Sequence, residues 1–268
     1  MELERISIGS VNMKDPIKAV KFVADNFDII ALPECPSLDG YITDYPSKNE
    51  LAATQEFKNF INSSGKNVAK VQVVGPYTYN TLTKTYNLTS INLLVNYLLR
   101  NIESLNVNKL YIGLDEPCVN KYSNNNYAGL ANLVYKKVRD NISKNIELVN
   151  FYHCCGDLSG KLNSLSSFVN MISFDAVFYN IFKDNLREDY ENARNNGLKI
   201  CWGVVSAEMG DYFKIRDLKI ASDNNLDIRE GDMISISCGL GNLSEPYHNK
   251  SVELLKEKQL ELIKKIIM

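Results

Sequence analysis

Short apolar segments rich in β-branched residues alternate with longer amphipathic segments along the whole chain. The short segments have the length and composition of buried strands, and the longer ones repeat apolar positions at helical spacing. Strands are predicted at residues 6–8, 29–32, 71–74, 109–114, 146–152, 171–174, 198–202 and 233–237. Helices are predicted after them, at about residues 15–23, 49–61, 91–99, 130–138, 158–168, 185–195, 213–222 and 251–267.

This alternation predicts right-handed crossover connections and a parallel sheet. Eight strand-then-helix units without a long linker favour a single domain over residues 1–268, folded as a closed (β/α)8 TIM barrel. An open doubly wound sheet usually carries a glycine-rich phosphate-binding turn after its first strand. The segment 9–12, Gly-Ser-Val-Asn, does not have that pattern.

Composition excludes several classes of protein. The chain is 45% hydrophobic and 23% charged with a net charge of -2, which is typical of a soluble globular protein. There is no basic stripe, so no nucleic-acid partner is expected. No apolar run approaches the roughly 20 residues of a membrane span and no signal peptide is recognisable, so no membrane association is expected. Six cysteines in a chain of this length predict cytoplasmic thiols that are free to bind metal.

One of the two histidines, His153, lies where the fifth predicted strand ends, in the segment Asn-Phe-Tyr-His-Cys-Cys-Gly-Asp at 150–157. Residues i and i+2 of an extended chain point to the same side. His153 and Cys155 are therefore predicted to project together, and Cys154 to project the other way. An imidazole beside a thiolate supplies half of a zinc site.

In a barrel the active site lies at the carboxyl ends of the strands, so the polar residues at those ends are the candidate site. The ends of strands five, six and eight offer one imidazole, one carboxylate and two thiolates, which form a suitable tetrahedral set for Zn²⁺. These predicted ligands are His153, Cys155, Asp175 and Cys238. The other strand ends carry Ser10, Glu34, Gly75, Asp115, Glu116, Ser206 and Glu208.

Each of these residues also has a structural interpretation. Buried cysteines commonly act as small apolar side chains, and His248 is interpreted as a hydrogen-bonded structural residue. The Asp115-Glu116 pair could cap a helix, and Glu34 and Glu208 could be solvated loop acids.

Five short motifs follow one another in an order that resembles the catalytic C-terminal barrel of cobalamin-independent methionine synthase, in the uroporphyrinogen decarboxylase-like superfamily. The motifs are Ile8-Gly-Ser10, Gly75-Pro-Tyr-Thr78, Leu114-Asp-Glu-Pro117, His153-Cys-Cys-Gly156 and Cys238-Gly-Leu240. The resemblance implies that His153, Cys155, Asp175 and Cys238 hold zinc, which binds homocysteine as a thiolate for methylation to methionine. It also implies that Ser10 binds the substrate carboxylate and that Glu34 and Asp115 bind its ammonium group.

Three departures from the family pattern bear on the methyl donor. Asp175 stands where the family has glutamate, and Ser206 and Glu208 stand where it has an Asp-x-His pair, so Glu208 is the remaining candidate acid. The sequence also lacks the family's folate-binding N-terminal barrel. A methylated corrinoid, carried by a partner protein, is therefore the predicted donor, and homocysteine or another small thiol the predicted acceptor.

Two other functions compete with this prediction. A decarboxylase of the same superfamily would hold a polycarboxylate with arginines and need no metal, but Arg5 stands alone near the N-terminus. A zinc-bearing, non-catalytic protein that binds homocysteine would explain the missing acid.

Overall fold

The parallel strands of this α/β protein form a curled half-barrel sheet. The structure, a computed structural model, describes residues 2–85, 88–120, 122–124, 126–209 and 215–267. Six parallel strands follow the order β1 (Val68–Val74), β2 (Lys109–Asp115), β3 (Glu147–His153), β4 (Met171–Asp175), β5 (Lys199–Met209) and β7 (Met233–Ile236). A further strand, β6 (Ile215–Ile220), pairs with β5 in the antiparallel sense.

The prediction of eight regular strands in a closed barrel is therefore too specific, because the first two predicted strands are reduced to isolated bridges. Parallel bridges join Arg5 to Ile234, Ile6 to Ile29 and Ala31 to Lys70. The backbone itself limits these segments. Gly9 has a φ of 151°, outside the range of a regular strand. Pro33 has no N–H with which to continue a ladder.

Helices cover the outer face of the sheet and bury one large apolar cluster against it. Asp15 begins the first helix, because its Oδ1 accepts hydrogen bonds from the backbone N–H groups of Ile17 (3.0 Å) and Lys18 (3.2 Å). The helices are α1 (Pro16–Asn26), α2 (Pro36–Asp39), α3 (Thr54–Ser64), α4 (Pro76–Thr83), α5 (Leu88–Ile102), α6 (Asn126–Asn141), α7 (Leu162–Ser166), α8 (Arg187–Asn195) and α9 (Glu245–Ile267). Across the described ranges, none of the helices has the length and apolar character that crossing a membrane requires.

The helix predicted at residues 213–222 is wrong, because the described part of this segment contains β6 instead. Strand β5 has 11 residues whereas β4 has only 5, so β5 extends beyond its neighbour. Its outer part pairs with β6 from Val205 to Met209. An unpaired edge leaves backbone donors and acceptors unsatisfied. Pairing with β6 satisfies them along the outer part of β5, and this gain outweighs the local preference of the segment for a helix.

The concave side of the sheet is apolar near the amino ends of the strands and polar near their carboxyl ends. A small cluster of buried apolar side chains fills the first part: Ile6, Ile8, Ile29, Tyr111, Val149, Phe151, Met171, Cys201 and Met233. Lys70 and Gln72 of β1 lie above it, and Glu34, Asp115 and His153 follow at the carboxyl ends. The candidate functional site is therefore expected at the polar end of the sheet.

Candidate metal centre

Three of the predicted ligands come together at the carboxyl end of the sheet. One ligand atom each of His153, Cys155 and Cys238 lies within 4.8 Å of the other two. His153 is the last residue of β3, and Cys238 follows β7 from a distant part of the chain. The histidine is buried, Cys155 is half-buried and Cys238 is exposed. A metal ion held here would thus be accessible from solvent on the Cys238 side.

A second residue orients His153 as metal-ligating histidines require. Its Nδ1 lies 3.2 Å from the hydroxyl oxygen of Ser173 on β4, while its buried Nε2 has no hydrogen-bond partner among the described residues. With the proton on Nδ1 donated to Ser173, the lone pair of Nε2 is free. A neighbouring acceptor that fixes the tautomer in this way is typical of histidine ligands.

The two cluster cysteines share a proton. A hydrogen bond from the Cys238 thiol to the Cys155 sulfur lowers the pKa of Cys155 to about 4. The same hydrogen bond raises the pKa of Cys238 well above its ordinary value. The pair thus presents one thiolate at neutral pH, and metal binding would displace the remaining proton.

Cys154 lies outside the cluster, on the opposite side of the chain. Its buried sulfur donates a hydrogen bond to the carbonyl oxygen of Val119 at 3.0 Å. Burial raises the pKa of this thiol above its ordinary value. The alternation predicted for residues 153–155 therefore agrees with the geometry.

Asp175, the predicted fourth ligand, ends β4 but does not join the three-atom cluster. Its Oδ2 accepts a hydrogen bond of 2.6 Å from the Ser206 hydroxyl. Its Oδ1 accepts hydrogen bonds from the backbone N–H groups of Val177 (2.9 Å) and Phe178 (3.3 Å). Ligation by Asp175 stays a prediction.

Two buried acids lie near the cluster without full partners. Glu34 is 3% exposed and Asp115 is 7% exposed, and in the part of the chain that the structure describes Glu34 Oε1 and Asp115 Oδ1 have no hydrogen-bond partner. Burial, reinforced by the charge of Asp115, raises the pKa of Glu34 well above its ordinary value. Burial also raises the pKa of Asp115, and the charge of Lys70 acts in the opposite direction. Unpaired buried acids of this kind are suited to a cationic ligand group.

Lys70 and Gln72 are two interior residues that sequence reasoning missed. The Lys70 ammonium donates to the carbonyl oxygens of Ser7 (3.2 Å) and Ile8 (2.5 Å) and lies 4.6 Å from the centre of the Phe151 ring. Burial lowers its pKa, and the charges of Asp115 and Glu34 act in the opposite direction. The signal was available in the sequence: both are polar residues at alternate positions of an otherwise apolar strand.

Ser10 supports the segment that carries Cys238. Its carbonyl oxygen accepts a hydrogen bond of 2.6 Å from the N–H of Leu240, and its hydroxyl accepts one of 3.3 Å from Gly241. A β-carbon at Gly239 would overlap the Ser10 side chain, so this position requires glycine. The predicted role of Ser10 toward a substrate carboxylate stays a prediction.

His248 has the structural role that was predicted for it. It is buried in α9, and its Nε2 donates to the carbonyl oxygens of Leu240 (3.0 Å) and Leu243 (2.9 Å). The histidine therefore fixes the loop that follows Cys238.

Gly75 and Glu116, from two of the short sequence motifs, lie in contact. The Glu116 carboxylate accepts hydrogen bonds from the N–H groups of Tyr77 (3.0 Å) and Thr78 (2.7 Å), and so caps α4. A β-carbon at Gly75 would overlap this carboxyl group. Burial raises the pKa of Glu116 to about 7. The capping interpretation is thus correct for Glu116, although the helix is α4 rather than the next one in the chain.

Glu208, the predicted catalytic acid, lies near the end of β5, where its backbone is paired with Asp217. Its side chain lies outside the part of the chain that the structure describes. Its neighbour Ser206 is buried and bonded to Asp175.

No protein-family model matches the chain, and no curated protein matches it. The support for a function is therefore the geometry of this site.

Proposed function

We propose that the protein is a zinc-dependent methyltransferase that methylates the thiol of homocysteine to give methionine, with a methylated corrinoid on a partner protein as donor. The observation that carries the proposal is the cluster of His153, Cys155 and Cys238 beside two buried, incompletely paired acids. For the fold, we propose a (β/α)8 barrel in which the first two strands are reduced to isolated bridges.

The donor set supports zinc among the metals. One imidazole nitrogen and two sulfurs suit a borderline-soft ion, and carboxylate-rich sites suit magnesium or calcium instead. The free Nε2 of His153 and the shared proton of the cysteine pair both favour ligation. A bound zinc ion would remove the proton of a coordinated thiol at neutral pH and so supply a thiolate nucleophile.

The neighbouring acids would select the amino-acid part of the substrate. An ammonium group placed between Glu34 and Asp115 would satisfy their unpaired oxygens and offset their buried charge. Lys70 already balances part of that charge from inside the sheet. We propose that Ser10, next to the Cys238 loop, faces the substrate carboxylate.

A corrinoid donor suits a chain that has Ser206 and Glu208 where the resembled family has its Asp-x-His pair. The substrate sulfur attacks the methyl carbon, the S–C bond forms, and the C–Co bond breaks with its electron pair remaining on cobalt. No proton has to be delivered to the leaving group. A folate donor would need a general acid, and Glu208 would be the residue to provide it.

The test combines metal content with methyl transfer. We expect the purified protein to contain one zinc ion per chain and to form methionine from homocysteine and methylcobalamin, but not from methyltetrahydrofolate. Mass spectrometry of the product checks this. Cys155→Ala should abolish both zinc binding and methionine formation, whereas Cys154→Ala, which alters the adjacent thiol outside the cluster, should retain both.

Several results would contradict the proposal. They are a zinc-free native protein, zinc that persists after both Cys155 and Cys238 are replaced by alanine, and turnover of a porphyrinogen without metal. Methionine formed only from methyltetrahydrofolate would overturn the proposed donor and assign the acid role to Glu208.

A further inference from the structure

We infer that Asp175 does not ligate the metal in this protein, and that the fourth coordination position is left for the sulfur of the substrate. The inference rests on the proposed function. It makes the protein's own ligand set one histidine and two cysteines, and it makes the incoming thiol a third sulfur ligand.

Both oxygens of the Asp175 carboxylate already accept hydrogen bonds within the protein. Oδ2 holds the buried hydroxyl of Ser206, and Oδ1 holds the N–H groups of Val177 and Phe178. Turning the carboxylate toward the cluster would leave these donors without a partner. The buried Ser206 hydroxyl would be the costliest of these donors to leave unpaired.

The reach of the Asp175 side chain also matters. Ser173 and Asp175 are two residues apart on β4 and therefore project to the same side. Ser173 is the residue that contacts His153, so Asp175 lies on the side of the strand that faces the site. Even so, its short side chain bonds the end of β5 and the turn after β4, and no oxygen of it lies within the cluster.

The chemistry of zinc sites also favours three protein ligands. Zinc sites that act on a substrate usually have three protein ligands and an open position, whereas structural sites have four. Two thiolates balance the charge of Zn²⁺, so an incoming thiol meets a site without excess negative charge. An added carboxylate would weaken the pull on the thiol proton. The incompletely paired acids Glu34 and Asp115 remain available for the ammonium group.

The decisive measurement counts sulfur ligands in the native protein. X-ray absorption of the zinc protein should show two sulfurs and one imidazole nitrogen with a light fourth ligand from solvent. Homocysteine should raise the count to three sulfurs and release one proton. The cobalt-substituted protein should gain sulfur-to-cobalt charge-transfer intensity in the same titration.

Variants test the role of Asp175 directly. Asp175→Asn should bind zinc within about threefold of the native affinity in a chelator competition, because no ligand is lost. Cys238→Ala removes a ligand and should weaken binding by about 100-fold or more, beyond the usual effect of outer-shell changes. Ser206→Ala, which removes the partner of Asp175 instead, should also keep the native affinity.

Either of two results would overturn the inference alone: Asp175→Asn losing zinc affinity as much as Cys238→Ala, or a sulfur count that stays at two when homocysteine binds. A native protein that binds no zinc would overturn both this inference and the proposed function. Should Asp175→Asn fail to fold, as judged by circular dichroism, Asp175→Ser takes its place in the same chelator competition, with the same threefold limit.

Discussion

Acids are buried at both ends of the parallel sheet, but their hydrogen bonding differs. At the amino end, Asp232 is 2% exposed and accepts five hydrogen bonds. Two come from the Arg194 guanidinium at 2.7 and 2.8 Å, and the others from the Trp202 indole and the N–H groups of Ile200 and Arg229. This carboxylate is completely paired.

At the carboxyl end, Glu34 and Asp115 are buried to a similar degree, yet each has an oxygen without a partner. Their pKa values are raised, with burial as the main cause. The nearby His153 has an unpaired ring nitrogen as well. Buried groups in this state cost folding free energy unless a ligand or metal satisfies them.

Buried charges have different roles at the two ends of the sheet. The Asp232 network joins α8, β5 and the start of β7, and so it stabilises the fold. The carboxyl end keeps its polar groups incompletely satisfied, and proteins commonly sacrifice stability in this way at binding sites. Mutations at the two ends should therefore change stability in opposite directions.

The largest effect is expected at the amino end. Asp232→Asn leaves the Arg194 charge buried without a counter-ion, and breaking such a pair typically costs about 3–5 kcal/mol. Urea denaturation should show this loss in the free energy of unfolding. Asp25→Asn is the control, because Asp25 pairs with Lys21 on the surface and the change should cost less than about 0.5 kcal/mol. A loss below about 1 kcal/mol for Asp232→Asn would remove the contrast between the two ends.

A smaller and opposite effect is expected at Glu34. Glu34→Gln removes a buried, incompletely paired acid and should raise the free energy of unfolding by about 1 kcal/mol. The same change should weaken homocysteine binding by about 10–100-fold, the usual value of a hydrogen bond to a charged group. Calorimetry checks both quantities.

A ligand that differs from homocysteine only in lacking the ammonium group tests which part of the substrate Glu34 binds. 4-Mercaptobutanoate has the thiol and the carboxylate of homocysteine but no ammonium group. Its affinity should be nearly unchanged by Glu34→Gln if the acid binds only the ammonium. An equal loss for both ligands would show that Glu34 acts on the pocket as a whole.

Local periodicity predicted those features of the site that depend on neighbouring residues. His153 and Cys155 could be placed on one side because an extended chain alternates, and Asp15 could be placed before its helix because capping is local. Cys238 could be added only by assuming that the strand ends converge. That assumption holds for the three clustered ligands.

Features that depend on distant residues could not be predicted in the same way. The β6 strand exists because β5 is long, and Glu116 caps a helix that begins 40 positions earlier, at Pro76. The hydrogen bonds that occupy Asp175 depend on Ser206, which is 31 residues away. A one-dimensional pattern carries no information about such partners until the strand register is known.

The smallest effect expected is a pH dependence of stability at the carboxyl end. Because the folded-state pKa of Glu34 is raised above its ordinary value of 4.5, its contribution to stability is complete below that pH and is lost as pH rises through the raised pKa. One carboxyl group can contribute a slope of at most about 1.4 kcal/mol per pH unit. The unfolding free energy of the native protein should therefore fall relative to that of Glu34→Gln as pH rises above 4.5, by about that slope at most. Homocysteine should abolish the difference in slope, because its ammonium group stabilises the ionised acid.

Parallel pH profiles of the two ligand-free proteins would mean that Glu34 is as well paired as Asp232, and the contrast between the two ends would fail.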